Sequence, residues 1–97
     1  MKNILITLAL LISAVSFGQT AEEYFDSGLS KYDLKDFYGA ISDYNKAIEL
    51  DPNYASVYYN RAISKYYIND LNGACEDARK SGSLGIPFPQ MIEAACN

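Results

Sequence analysis

The segment Ala40-Ile41-Ser42-Asp43-Tyr44-Asn45-Lys46-Ala47-Ile48-Glu49-Leu50-Asp51-Pro52-Asn53 reads as an amphipathic helix with its stop signal attached. Ala40, Ile41, Tyr44, Ala47 and Ile48, with Phe37 just upstream, recur at the spacing that lines one face of an α-helix. Asp36 stands where a cap for that helix belongs. Asp51-Pro52-Asn53 ends it, because proline lacks a backbone donor and disfavours helix in the residue before it. Further upstream, Tyr24, Phe25, Gly28, Leu29 and Tyr32 form a second stripe of helical period, opened by a Thr20/Glu23 capping box and broken at Lys35-Asp36.

This pair of helices occurs twice. Laying Ala21–Tyr54 over Ala55–Phe88, a shift of 34 residues, gives 11 identities, among them Tyr24/Tyr58, Ser30/Ser64, Lys31/Lys65, Tyr32/Tyr66, Asp36/Asp70, Ala40/Ala74 and Asp43/Asp77. Chance gives about two, and self-similarity at such a period marks a stacked helical array. Phe25/Tyr59, Gly28/Ala62 and Leu29/Ile63 add conservative pairs. The second unit predicts helices over Ala55–Ile68 and Leu71–Ser81, with Asn69-Asp70 in the place of Lys35-Asp36.

Tyr24, Gly28, Ala40, Tyr44, Ala47 and Pro52, together with the opening segment, closely resemble the tetratricopeptide consensus. The resemblance runs from about Ala21 to Leu84. It implies an all-α fold: two helix-turn-helix units, a fragment of a right-handed α-solenoid, over about 21–54 and 55–84. By that resemblance Gly28 and Ala40 sit where the helices of a unit cross, Ala47 sits where the next unit packs, and Tyr24, Tyr44 and Tyr58 fill the core. The second unit keeps Ala62 and Ala74 at the crossing. It departs from the pattern with Ala78 for the aromatic, Ser81 for the alanine and Ile86 for the proline. Beyond the Ser81–Gly85 break, Pro87-Phe88-Pro89 opens a last helix, about 87–96, with Met91, Ile92 and Ala95 on its apolar face. It falls where the first helix of a third unit belongs and reads as a cap.

The N-terminus has the order of a secretory signal: basic Met1-Lys2-Asn3, an uncharged apolar run over Ile4–Val15, then Ser16-Phe17-Gly18. Cleavage is expected between Gly18 and Gln19. The alternative is a membrane anchor, but the apolar core is short of the ~20 residues that a spanning helix needs. Export places the remaining domain, residues 19–97, in the periplasm or outside the cell. Without Lys2 that domain carries seven basic and twelve acidic side chains, a net charge of −5. This balance, with no basic stripe, disfavours nucleic acid. Histidine is absent from the sequence, which removes the commonest general base and metal ligand. With no EF-hand spacing, phosphate loop or nucleophile motif either, the sequence predicts no enzyme, no metal and no cofactor. Glu22, Glu23 and Asp26 read as a solvated face at a helix start.

Two further expectations come from the resemblance. Cys75 aligns with Ile41, a position that in this family faces the first helix of the following unit. That helix is here the cap, which carries Cys96, so Cys75 and Cys96 are a candidate disulfide; the alternative is two reduced thiols. The first helices of such arrays line a concave groove, to which Phe25, Leu29, Tyr32, Tyr59, Asn60, Ile63, Tyr66 and Tyr67 are assigned. In so thin an array these side chains could instead pack on each other or on the cap. Tyr58-Tyr59-Asn60-Arg61-Ala62 also looks like the second unit of domains that clamp a C-terminal carboxylate. Phe25 and Leu29 stand where the first unit would supply its groups, and no third unit follows. The implied function is a protein-interaction module that binds a peptide segment of an envelope or secreted partner. The alternative is a self-associating structural subunit of an envelope assembly.

Overall fold

The computed structural model describes residues 18–97, so all of the expected leader except Gly18 lies outside the described residues. The described residues form α1 (Ala21–Asp33), α2 (Phe37–Leu50), α3 (Ala55–Tyr67), α4 (Leu71–Ser83) and a one-turn α5 (Gln90–Glu93) that runs into a 3₁₀ turn, Ala94–Cys96. α1 packs chiefly on α2 and α3 on α4, and the α2–α3 contact joins the two hairpins. The fold is all-α over these residues, as the duplicated helical period requires.

Local chemistry sets the helix ends. The Thr20 hydroxyl accepts from Glu23 N–H at 3.1 Å while the Glu23 carboxylate accepts from Thr20 N–H at 3.2 Å. Asp36 and Asp70 cap α2 and α4 alike, each accepting from the glycine three residues on at 3.0 Å. α1 closes through left-handed Lys35 (φ 63°) and α3 through Asn69 (φ 66°). Lys35 N–H reaches Tyr32 O at 2.8 Å and Asp36 N–H reaches Lys31 O at 2.9 Å, a paired closure repeated by Asn69 to Tyr66 and Asp70 to Lys65 at 3.0 and 2.9 Å. α4 uses the same device with Gly85 (φ 103°), and so runs two residues beyond the expected Ser81. The sequence shows the breaks at Lys35-Asp36 and Asn69-Asp70 but not their left-handed geometry. Such closures satisfy carbonyls that a helix end otherwise leaves open.

The core has two parts. Ala40, Tyr44, Ala47 and Val57 are buried in one, flanked by Tyr24, Phe25, Tyr32 and Tyr54. Ala62, Ala74, Cys75, Ala78 and Ile92 form the other, flanked by Ile63, Tyr66, Phe88 and Cys96. At the first crossing, Gly28 lies against the ring of buried Tyr44, and a Cβ there would collide with it, only 2.7 Å from Cδ1. At the second crossing the equivalent residues are Ala62 and Ala78, both fully buried. The volume is thus divided differently over the same geometry. A polar pattern repeats as well. Asp43 accepts from Ser27 Oγ at 2.6 Å and pairs with Lys31 at 2.9 Å. Asp77, 4% exposed, accepts two bonds from Arg61 at 2.7 Å and pairs with Lys65 at 3.0 Å. Tyr58 Oη donates to Pro52 O at 2.8 Å, tying the second unit to the loop between units.

The cap is shorter than the expected 87–96. Pro87 and Pro89 push the residues before them out of helical backbone, so Ile86–Pro89 stays irregular and α5 starts at Gln90. Ile92 is fully buried and Ala95 half-buried, but Met91 is 40% exposed and lies outside the packed face. A disulfide joins Cys75 in α4 to Cys96, with Cα atoms 5.5 Å apart.

Candidate functional site

The turns that close α1 and α3 bring four aromatic rings together. Tyr32 lies in the last turn of α1, Phe37 opens α2, and Tyr66 and Tyr67 end α3. Phe37 and Tyr67 stack with centroids 4.9 Å apart and planes at 18°. Tyr32 meets Phe37 edge-on at 5.5 Å, and Tyr66 meets Tyr67 the same way at 5.8 Å. Offset and edge-on rings attract beyond their area burial. Burial raises the Tyr32 hydroxyl above its ordinary pKa, with further contributions from Tyr67 and Asp33.

Tyr67 is 50% exposed and stands between two clefts. One, of about 420 Å³, is lined by Tyr32, Asp33, Lys35, Phe37 and Tyr67. The other, of about 610 Å³, runs past Tyr66, Tyr67, Asn69 and Leu71 to Met91, Ala94 and Ala95 of the cap. Leu71 and Met91 are 37% and 40% exposed, so the apolar surface continues from the first unit to the cap.

The other residues assigned to the groove have divided roles. Phe25 is half-buried, 5.2 Å from the Tyr54 ring and 6.0 Å from Tyr44. Leu29 is half-buried too. Ile63 and Tyr66 pack on the second core part, which Ile92 of the cap completes. Tyr59 lines a separate cleft of about 580 Å³ with residues Ile86–Met91. The Asn60 amide donates to Ser56 O at 2.8 Å within its own helix. Arg61 is committed to Asp77, and to Asn45 Oδ1 at 2.8 Å, so its guanidinium is already held by side chains of the fold. Half-buried Phe37 and exposed Leu71 and Met91 belong to this apolar surface yet are not among the assigned groove residues. Phe37 and Leu71 share one repeat position, the first residue after each capping aspartate, which is the signal that marks them.

Among the described residues no group of three or more Cys, Asp or Glu could hold a metal ion, and no helix is long and apolar enough to cross a membrane. No curated protein matches the chain. A family model described as TPR repeat matches residues 28–67, from the Gly28 crossing through α2 to the end of α3. Hairpins, crossings and sequence pattern agree with that match: residues 28–67 are a tetratricopeptide repeat.

Proposed function

We propose that the protein is an exported adaptor, without catalytic activity, that binds a peptide segment of an envelope or secreted partner on the aromatic surface of α1 and α3. The observation that carries this is Tyr67, half exposed between two clefts that join the first unit to the cap. Amphipathic rings of this kind are frequent interface anchors, large in area and low in conformational cost. Residues 1–18 are the leader in this reading, and residues 19–97 the mature domain with units over about 21–54 and 55–84. Intact mass starting within two residues of Gln19 supports export; Met1 retained in the envelope fraction overturns it.

Self-association by end-to-end stacking is the competing reading. Val57, fully buried, is where α3 packs on the preceding hairpin, and the same repeat position in α1 is Glu23. A copy stacked there would bury the capping-box carboxylate, which is costly without a partner. The adaptor reading therefore predicts a molar mass by light scattering that stays monomeric as concentration rises.

The test of the site is capture of partner from envelope extract by the mature protein and its variants. Tyr67→Ala and Tyr59→Ala should each weaken capture by ~1–3 kcal/mol, the usual range for an aromatic anchor, and leave helicity intact. Undiminished capture by both variants moves the site to another surface.

A further inference from the structure

We propose that the cleft between Tyr32, Phe37 and Tyr67 receives a cationic side chain, the guanidinium of an arginine in the bound segment. This rests on the docking reading above and names the chemistry of one subsite in it.

The walls suit a flat cation. Phe37 and Tyr67 are stacked, and with Tyr32 they line the cleft, Tyr67 being half exposed to a guest. Ring faces carry negative charge and hold a cation placed above them. The chain already uses this interaction internally: Arg61 and Lys80 lie over the Tyr58 ring at 5.5 and 5.9 Å.

The charges around the cleft point the same way. Asp33 lines it and forms no ion pair among the described residues. Its charge reaches into the cleft, since it is one of the causes that raise the Tyr32 pKa. Asp36 and Asp70, the caps of α2 and α4, flank the same turns. Lys31 and Lys65, one helical turn back, are spent on Asp43 and Asp77 at 2.9 and 3.0 Å. Lys35 alone opposes a cation. An aliphatic guest would fill the space but leave the Asp33 carboxylate partly desolvated with nothing to pair it. A guanidinium both stacks on the rings and bonds the carboxylate, and it does so better than an ammonium because it is planar and more weakly hydrated.

The probe is N-acetyl-arginine amide, titrated into the disulfide-intact mature protein while the tyrosine ring resonances are followed by NMR; N-acetyl-leucine amide is the comparison. Arginine should shift the Tyr32 and Tyr67 rings saturably, with leucine about fivefold weaker. About 0.5 M NaCl should weaken arginine binding several-fold. Asp33→Asn should weaken it and Lys35→Gln strengthen it, while Tyr67→Ala removes the saturable shift. Leucine binding as well as arginine overturns the proposal, as does Asp33→Asn leaving arginine affinity unchanged or no saturable shift below about 100 mM. If any of these occurs while Tyr67→Ala still reduces partner capture, the cationic assignment falls and the docking surface stands. Undiminished capture by Tyr67→Ala and Tyr59→Ala overturns the docking reading itself.

Discussion

At the left-handed closures the two units meet one backbone demand with different residues. Lys35 holds φ 63° and Asn69 φ 66°. Asparagine tolerates that region, whereas a long side chain pays ~1–2 kcal/mol there. Lys35→Gly should therefore raise stability by about 1 kcal/mol, and Asn69→Ala should lower it by a similar amount, in urea denaturation. Equal and opposite free-energy changes would trace both to one geometry; no gain from Lys35→Gly would mean that the lysine side chain offsets its own strain. Two paired aspartates, Asp43 and Asp77, allow a second comparison at one repeat position. The Asp77 side chain is 6% exposed, with Arg61 and Lys65 at 17% and 19%. Asp43 is 13% exposed and its partner Lys31 41%. Asp77→Asn leaves two nearly buried cations short of a counter-charge and should cost about 3 kcal/mol. Asp43→Asn should cost about 1 kcal/mol, because water screens Lys31. Equal losses would show that burial does not set the difference. The sequence displays both aspartates as identities under the repeat, but not which one is buried, since that depends on whether Ser27 or Arg61 faces it.

At the scale of elements, the cap depends on few contacts. Ile86 N–H bonds Ser81 O at 3.0 Å, and no hydrogen bond among the described residues ties anything beyond Ile86 to the two hairpins. What holds the cap is the burial of Pro89 and Ile92, the partial burial of Phe88 and the bond to Cys75. Ile92→Ala should cost ~2–4 kcal/mol through the cavity it leaves. Cys96→Ser removes a closure spanning 21 residues and should cost ~3 kcal/mol on the loop-entropy account. Hydrogen exchange should then rise first in residues 90–96 while α1 and α2 keep their protection; an unchanged melting temperature in Cys96→Ser would mean that burial alone secures the cap. The four long helices were legible in sequence because each has an apolar stripe and a break at matching repeat positions, and three of them a capping residue, Thr20, Asp36 and Asp70. The cap was less so: the effect of Pro87 and Pro89 on the residues before them outweighs the apolar spacing of Met91, Ile92 and Ala95. The docking surface was legible in part, since spacing shows which side chains share a helix face but not how far a neighbouring segment covers them. Ile63 and Tyr66 pack toward the cap for that reason, and Phe37 and Leu71 reach the surface from the start of the second helices.

For the molecule as a whole, the tyrosines fix an alkaline limit. Tyr44 is fully buried, its hydroxyl has no hydrogen-bond partner, and burial holds its pKa well above the ordinary value. Tyr32 and Tyr54 are raised as well, chiefly by burial. In the unfolded chain these phenols ionise near 10. Below that both states keep the protons and stability is level; above it the unfolded state releases protons that the folded state retains, so stability falls as pH rises. The denaturation midpoint should hold to about pH 9 and decline beyond about pH 10, and Tyr44→Phe should soften the decline. A midpoint that stays flat in alkali would contradict the burial of these phenols. The unequal division of volume at the two crossings, Gly28 against Tyr44 and Ala62 beside Ala78, has a consequence for how the chain finds its connectivity. Two hairpins this alike invite exchange of partners, either within a chain or between neighbouring chains during folding. If α3 took the place of α1 against α2, the methyl of Ala62 would meet the Tyr44 ring; if α1 lay against α4, Gly28 would face Ala78 across an empty pocket. Either mismatch opposes the exchange, by overlap in the first case and by a void in the second. The crossings thus act as a pair of unlike keys, and each hairpin closes only on itself.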